Sequence, residues 1–266
     1  MDAVSVPLFL VDSFADLPFT GNPAAVCVLE APADGAWMQR VGAELNQAAT
    51  AFVAPAGEGV YGLRWFTSTT ELTLCGHGTL AAAHVLWERG ASDPLAFETA
   101  GGRLTARREG DRFGLSFPSI PPHPIEPPSG LQEALDGADP GWVGRNDLDL
   151  FVELPSEGHV RSLRPNLDRL RELDARGVVV TAASSDPAYA FVSRYFAPKI
   201  GIPEDQATGS AHCALGPFWG ERLQRTHLVG RQLSPRGGVV EVRLDRPGEA
   251  YLVGRAVTVL RGALLV

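Results

Sequence analysis

One device occurs twice in this sequence. The run Leu74-Cys75-Gly76-His77-Gly78-Thr79-Leu80-Ala81-Ala82-Ala83-His84 is a glycine-bearing turn rich in polar groups, followed at once by an apolar stretch. The run Glu204-Asp205-Gln206-Ala207-Thr208-Gly209-Ser210-Ala211-His212-Cys213-Ala214-Leu215 has the same build. Aligning Gly76 with Gly209 also pairs Ala81 with Ala214, Glu88 with Glu221 and Arg89 with Arg222. Both apolar stretches are apolar on nearly every face, which fits a helix surrounded by other structure rather than one lying on a surface. Each helix start offers backbone N–H groups and a positive dipole end. Two such starts facing one another would form a pocket for a small anion, ringed by Cys75, His77, Asp205, Thr208 and Ser210.

The remaining punctuation places these helices among strands. Strands are expected over Val6–Phe14, Ala24–Leu29, Thr50–Pro55 and Tyr61–Thr67, with a helix over Ala36–Gln47 whose apolar stripe is Trp37, Val41 and Leu45. Short strands follow at Leu95–Glu98, Arg103–Arg107 and Arg112–Phe117, and Gly90 closes the first apolar helix. A proline-dense segment, Pro118–Pro128, is the best boundary in the chain. Beyond it come strands at Asp147–Leu154, Val178–Ala182 and Tyr189–Phe196, a helix at Leu167–Arg176, the second apolar helix at Gly209–Leu223, and strands at Val239–Leu244 and Ala256–Leu260. The expected fold class is α+β: two pseudo-symmetric halves, each a barrel-like, mostly antiparallel sheet wrapped around a central apolar helix. The halves are 1–118 and 119–266, the last strand being a candidate to return to the first half. A ligand would lie between them.

A net charge of −8 and the absence of a basic cluster speak against nucleic acid as a partner. No apolar run approaches the roughly 20 residues that cross a bilayer, and no Lys or Arg precedes Arg40, so Val6–Val11 lacks the basic flank of a signal peptide. The expectation is a soluble cytoplasmic protein without membrane contact. Three cysteines, Cys27, Cys75 and Cys213, form neither a disulfide framework nor a Cys-x-x-Cys pair.

Phe14, Gly21-Asn22-Pro23-Ala24-Ala25-Val26, Trp65-Phe66-Thr67, Cys75-Gly76-His77, Gly201-Ile202-Pro203-Glu204-Asp205, Thr208-Gly209-Ser210-Ala211-His212 and Arg236-Gly237-Gly238 fall in order along the chain. With these motifs the sequence resembles the PhzF-like family of phenazine biosynthesis, within the diaminopimelate-epimerase-like fold. The resemblance implies a homodimer, no cofactor, no metal, and isomerisation by proton transfer on a small cyclic carboxylate. By position it assigns Asp205 as the acidic residue, His77 as the active-site histidine, and Gly76 and Ser210 as ligand-holding turn residues, with Gly209, Thr208 and Cys75 beside them. The family's principal acid/base is a glutamate in an Asn-Leu-Ser-Glu-Thr-Ala-Phe type segment. Here the segment is Asn46-Gln47-Ala48-Ala49-Thr50-Ala51-Phe52, which puts Ala49 at the glutamate's place. A positioned acid/base contributes about 10²–10⁴-fold in rate, so the replacement bears directly on activity.

Three readings therefore stand open: an isomerase that relies on Asp205 and His77, a weak or inactive binder of small carboxylates on the same scaffold, and an epimerase- or dehydratase-type enzyme using the Cys75/Thr208 pair. A thiol at a helix start can serve as a base, and it can equally be a small buried residue. Glu44 and Glu71 are further candidates for the missing acid. His84 and His212 read as packed core residues, while His123, His159 and His227 lie in loop-like surroundings. The run Gly76-His77-Gly78-Thr79-Leu80-Ala81 also fits the dinucleotide fingerprint, but the strand-rich region that follows departs from alternating strand and long helix. A Cys75–His77 dyad is disfavoured because the two are so close along the backbone.

Overall fold

The computed structural model describes residues 5–265, so residues 1–4 and 266 of the two expected halves lie outside the described residues. Strand outweighs helix, at 43% against 22%, in an α+β arrangement. Two compact units emerge: one holds the chain up to Phe117 together with everything from Val253 on, the other Pro118–Leu252. The change from one to the other falls at the start of the proline-dense segment.

In the first unit the elements run β1 (Ser5–Ser13), β2 (Asn22–Val28), α1 (Gly35–Leu45), β3 (Ala49–Gly57), β4 (Val60–Phe66), β5 (Glu71–Leu72), α2 (Gly76–Glu88), β6 (Leu95–Thr99), β7 (Gly102–Glu109) and β8 (Arg112–Pro118). Strand β1 pairs antiparallel with β2, β2 parallel with β3, and β3 antiparallel with β4. Strand β4 takes the short β5 antiparallel and β6 parallel, and β6, β7 and β8 follow as a meander. Parallel neighbours need a crossover, and α2 supplies it between β4 and β6. Its residues Gly76–Trp87 are buried apart from His84, and it packs on β1, β2 and β3. Helix α1 starts where the Asp34 carboxylate accepts the Trp37 N–H at 3.0 Å, and ends one residue before Asn46, whose φ of 47° is left-handed. That stop shortens it against the expected span to Gln47. Its buried stripe is Met38, Val41 and Gly42, with Trp37 and Leu45 at the margin, packed on Cys27, Phe52 and Phe66.

The second unit contains β9 (His123–Pro124), α3 (Leu131–Ala134), β10 (Trp142–Arg145), β11 (Asp149–Glu153), α4 (Glu157–Ser162), α5 (Leu167–Glu172), β12 (Gly177–Ala183), β13 (Phe191–Ala197), a 3₁₀ turn at Pro198–Ile200, β14 (Ile202–Asp205), α6 (Gly209–Leu223), β15 (His227–Gln232), β16 (Gly238–Arg243) and β17 (Glu249–Gly254). Here β10 pairs antiparallel with β11, β11 parallel with β12, and β12 antiparallel with β13. Strand β13 takes the short β14 antiparallel and β15 parallel, with α6 as the crossover, and β16 follows antiparallel. The order and sense of pairing from β10 to β16 repeat those from β1 to β7. Successive strand residues face opposite sides, so Phe151, Val179 and Tyr195 pack with Leu215, Phe218 and Trp219 of α6, while Val152, Val180 and Phe196 pack under α3, α4 and α5. The last strand, β18 (Ala256–Leu265), pairs antiparallel with β1 from Ser13↔Ala256 to Ser5↔Leu265 and belongs to the first unit.

Several expectations are corrected. Helix α5 stops at Glu172, short of Arg176, and β18 runs five residues beyond the expected Leu260. Helices α3 and α4 and strands β14, β15 and β17 fall in stretches with no expected element. His227 accordingly opens a strand, with its Nε2 at 2.7 Å from Glu241, and His159 lies within α4.

Candidate functional site

Each apolar helix begins directly after a short strand that hangs on the edge of its sheet, and the polar turn is what joins them. In the first unit Cys75 is the residue before α2, with extended backbone, and its side chain makes no capping bond. Its carbonyl instead accepts from the Thr79 N–H at 3.0 Å and from Thr79 Oγ1 at 2.7 Å. The His77 carbonyl accepts from Ser13 Oγ at 2.8 Å, which ties the helix start to β1. Cys75 Sγ lies 3.6 Å from His77 Nδ1 and 3.8 Å from Nε2, so the two side chains touch. A sulfur nearly equidistant from both ring nitrogens lies off the lone-pair axis of each, which is poor geometry for proton transfer between them.

Close packing fixes this turn. A Cβ on Gly78 would stand 2.7 Å from Trp65 Cδ1 and 3.0 Å from Cys75 Sγ. A Gly78→Ala variant gains about 1 kcal/mol of helix propensity and loses about 1–3 kcal/mol to overpacking. The net expectation is a loss of up to about 2 kcal/mol in urea denaturation. An unchanged midpoint would mean that the Trp65 ring gives way freely. Ala49 opens β3 opposite Ala24 of β2 and is fully buried.

The second turn is built on a carboxylate. Asp205 ends β14 and its Oδ2 accepts a 2.6 Å hydrogen bond from Thr208 Oγ1. Gln232, fully buried at the end of β15, locks both residues: its Oε1 accepts the Thr208 N–H at 2.8 Å, and its Nε2 donates to the Asp205 carbonyl at 2.7 Å and to Thr208 Oγ1 at 3.2 Å. Since Oγ1 accepts from Gln232, its own proton is directed at Asp205. Thr208 is the cap residue of α6, yet its hydroxyl makes no capping bond because it is committed to Asp205. Ser210 follows Gly209 in the first turn of α6, and its Oγ accepts from Arg176 Nη2 at 3.3 Å. The Arg236-Gly237-Gly238 turn is latched to the same loop, Ser234 Oγ donating to the Gln206 carbonyl at 2.6 Å.

Other buried groups sort out from their surroundings. His212 is fully buried; Nδ1 donates to the Thr208 carbonyl at 2.8 Å, and burial pushes its pKa down to about 4. Burial pushes the Cys27 and Cys213 thiols up to about 12, so both are inert packing residues near neutral pH. Arg194 forks onto Glu204 at 2.7 and 2.9 Å and also donates to the carbonyls of Val160 and Leu163, a structural brace. Glu71 is likewise taken, forked by Arg64 at 2.7 and 2.8 Å. His84, expected in the core, is only partly buried, with Nε2 at 3.1 Å from Thr258 Oγ1.

The structure thus brings Cys75, Gly76 and His77 together in one turn, and Asp205, Thr208, Gly209 and Ser210 in the other. Gln232 and Arg176 escaped the sequence reading. Gln232 ends a strand that looked like loop, and Arg176 follows a helix that stops early. Two cavities within single units hold none of the residues of the two turns, though Glu71 lines one of them. One, about 300 Å³, is lined by Met38, Phe52, Arg64 and Glu71 among others, and one of about 370 Å³ by residues including Ile120, His123 and Asn146. Among the described residues, no helix is long and apolar enough to cross a membrane.

Residues 11–262 match the family described as phenazine biosynthesis-like protein. The chain belongs to that family. An uncharacterized isomerase of Halalkalibacterium halodurans is 45% identical to this phenazine biosynthesis-like protein, over 99% of this chain and 100% of its own. An uncharacterized isomerase of Pseudomonas aeruginosa is 44% identical over 98% of this chain and 99% of its own. Among solved structures, a PhzF family protein of Enterococcus faecalis superposes with a TM-score of 0.93 at 38% identity, covering 99% of this phenazine biosynthesis-like protein and 100% of its own chain.

Proposed function

We propose that the protein is a cofactor-independent isomerase that moves a proton on a small cyclic carboxylate. Asp205 is the acid/base, and His77 polarises or protonates the substrate. Backbone amides at Gly76, His77, Gly209 and Ser210 hold carboxylate and carbonyl oxygens. One observation carries the reading: the Asp205 carboxylate is buried and oriented by the Thr208 hydroxyl at 2.6 Å, and Gln232 fixes that hydroxyl and the Asp205 main chain. Orientation of that kind is what a general acid/base requires. Membership of a family with isomerase-named relatives supports the same class of reaction.

Ala49 favours a second reading, a catalytically weak or inactive binder of small carboxylates. Solvent deuterium incorporation by NMR separates the two, with dihydro-hydroxyanthranilate, hydroxyproline and proline as probes. On the first reading the protein as it stands incorporates deuterium into at least one probe, and Ala49→Glu is not needed for it. Exchange appearing only in Ala49→Glu would assign the binder reading, as would silence combined with a raised melting temperature. The Cys75/Thr208 reading is tested in the same assay by Cys75→Ala. That variant keeps exchange if Asp205 is the base and loses it if the thiol is. The committed hydroxyl of Thr208 speaks for the former.

A further inference from the structure

Beside the first turn of α6 stands a group of side chains that the chemistry above does not use. Asp149 opens β11 and is only 2% exposed. Its carboxylate takes the Arg176 fork, Nε to Oδ1 at 3.0 Å and Nη2 to Oδ2 at 2.5 Å. A third hydrogen bond comes from the Tyr195 hydroxyl, donated to Oδ1 at 3.0 Å. Burial and the Asp149 charge push the Tyr195 phenol far up, so it stays a donor at all ordinary pH. The fit is tight: Gly177, next to Arg176, faces Asp149 across the β11–β12 pair, and a Cβ there would stand 2.6 Å from Tyr195 Oη. From this clamp Arg176 reaches out with Nη2 to Ser210 Oγ at 3.3 Å.

A buried ion pair is weak evidence for stability, since desolvation offsets most of its attraction. What this pair does provide is direction. Held by Asp149 on two nitrogens, the guanidinium can present Nη2 to Ser210 in only one way. Because Ser210 Oγ accepts from Arg176, its own proton is directed away from the guanidinium and is available to a group in front of the α6 N-terminus. A hydroxyl fixed in that sense keeps its proton to donate to an anionic oxygen.

We infer that Arg176, clamped by Asp149 and Tyr195, is a positioning residue that sets Ser210 as a hydrogen-bond donor to a carboxylate oxygen of the ligand. The inference rests on the carboxylate reading above and names how that carboxylate is recognised. Because such a contact is present in ground state and transition state alike, its loss raises KM and leaves kcat nearly unchanged.

Deuterium-exchange kinetics on whichever of the three probes the protein turns over test this in a double-mutant cycle. Ser210→Ala and Arg176→Gln are each expected to raise KM by about 10- to 100-fold, the range for a hydrogen bond to a charged group. In the Ser210→Ala background, Arg176→Gln should add almost nothing, since there is no hydroxyl left to aim. Arg176→Lys, a point charge without the fork, should rescue the melting temperature more than KM. Should Arg176→Gln fail to fold with Asp149 left unpaired, Asp149→Asn with Arg176→Gln replaces it in the cycle. Additive effects on KM, or an unchanged KM with a lowered melting temperature, would reduce Arg176 to a structural brace and leave the isomerase reading intact. Absence of both exchange and binding of any probe by the unaltered protein would overturn the carboxylate reading and this inference with it.

Discussion

Replacing Asp205 by Asn lowers the exchange rate by about 10²–10⁴-fold, the contribution of a positioned general acid/base. The substitution is nearly isosteric, and the amide oxygen of Asn can still accept from Thr208 Oγ1, which now stands 2.6 Å from Oδ2. Gln232 holds the main chain at this point and Thr208 besides, not the carboxylate itself, so the turn keeps its shape. What is lost is the capacity to take up and return a proton. The loss should therefore appear in kcat, with the melting temperature and the affinity for a non-exchanging carboxylate close to those of the unaltered protein. Thr208→Val makes the companion measurement. It removes the hydroxyl that orients Asp205 and leaves the carboxylate, so a smaller loss is expected. An Asp205→Asn protein that exchanges at the original rate would remove Asp205 from the mechanism.

Acid costs the fold about 3 kcal/mol through one imidazole. His212 is fully buried with a pKa pushed down to about 4, against about 6.5 for an unfolded histidine. Between those two pH values the unfolded chain binds a proton that the folded chain refuses, so stability falls as the pH is lowered. Above about pH 6.5 both states are neutral and the contribution is fully present; below about pH 4 both are charged and the slope levels off. At about 1.4 kcal/mol per unit, a separation of this size gives the figure quoted. The cause is burial, which outweighs the opposing pull of the Nδ1 bond to the Thr208 carbonyl, and Nε2 has no hydrogen-bond partner among the described residues to receive a new N–H. Urea unfolding at pH 4, 5, 6 and 7 should show this slope in the unaltered protein and its disappearance in His212→Gln. Parallel slopes for the two proteins would move the acid sensitivity to other groups. Since the His212 bond goes to the carbonyl of Thr208, the local strain of protonation would be felt first at the candidate site.

The two helix starts were legible because their signals are local and strong: a glycine turn, then a run apolar on every side, beginning at Gly76 and Gly209 as the structure has them. Strand β15 was not, because Gly230 reads as a break. The residue is glycine for another reason, since a Cβ there would stand 2.4 Å from the Phe191 ring. Helices α3 and α4, of four and six residues, are too short to show a period. For the site, Asp205, Thr208 and Ser210 cluster within six residues and stand out by type. Gln232 and Arg176 reach them from 24 to 34 residues away along the chain, Asp149 acts only through Arg176, and no local pattern announces such pairings. The polar machinery of the turn was therefore half visible: the groups that face a ligand by motif, the groups that hold them only by fold.

The last strand of the first unit is made after the whole of the second. Strand β1 finds its neighbour β18 at the other end of the described chain, whereas Pro118–Leu252 is one uninterrupted stretch. A ribosome thus delivers every residue of the second unit before β1 can be covered on that side. The entropy of closing so long a loop grows only with the logarithm of its length, so the arrangement costs little in final stability. Its cost falls on time: the β1 edge waits longest for its partner, and long-range pairing of this kind slows folding more than it weakens the fold.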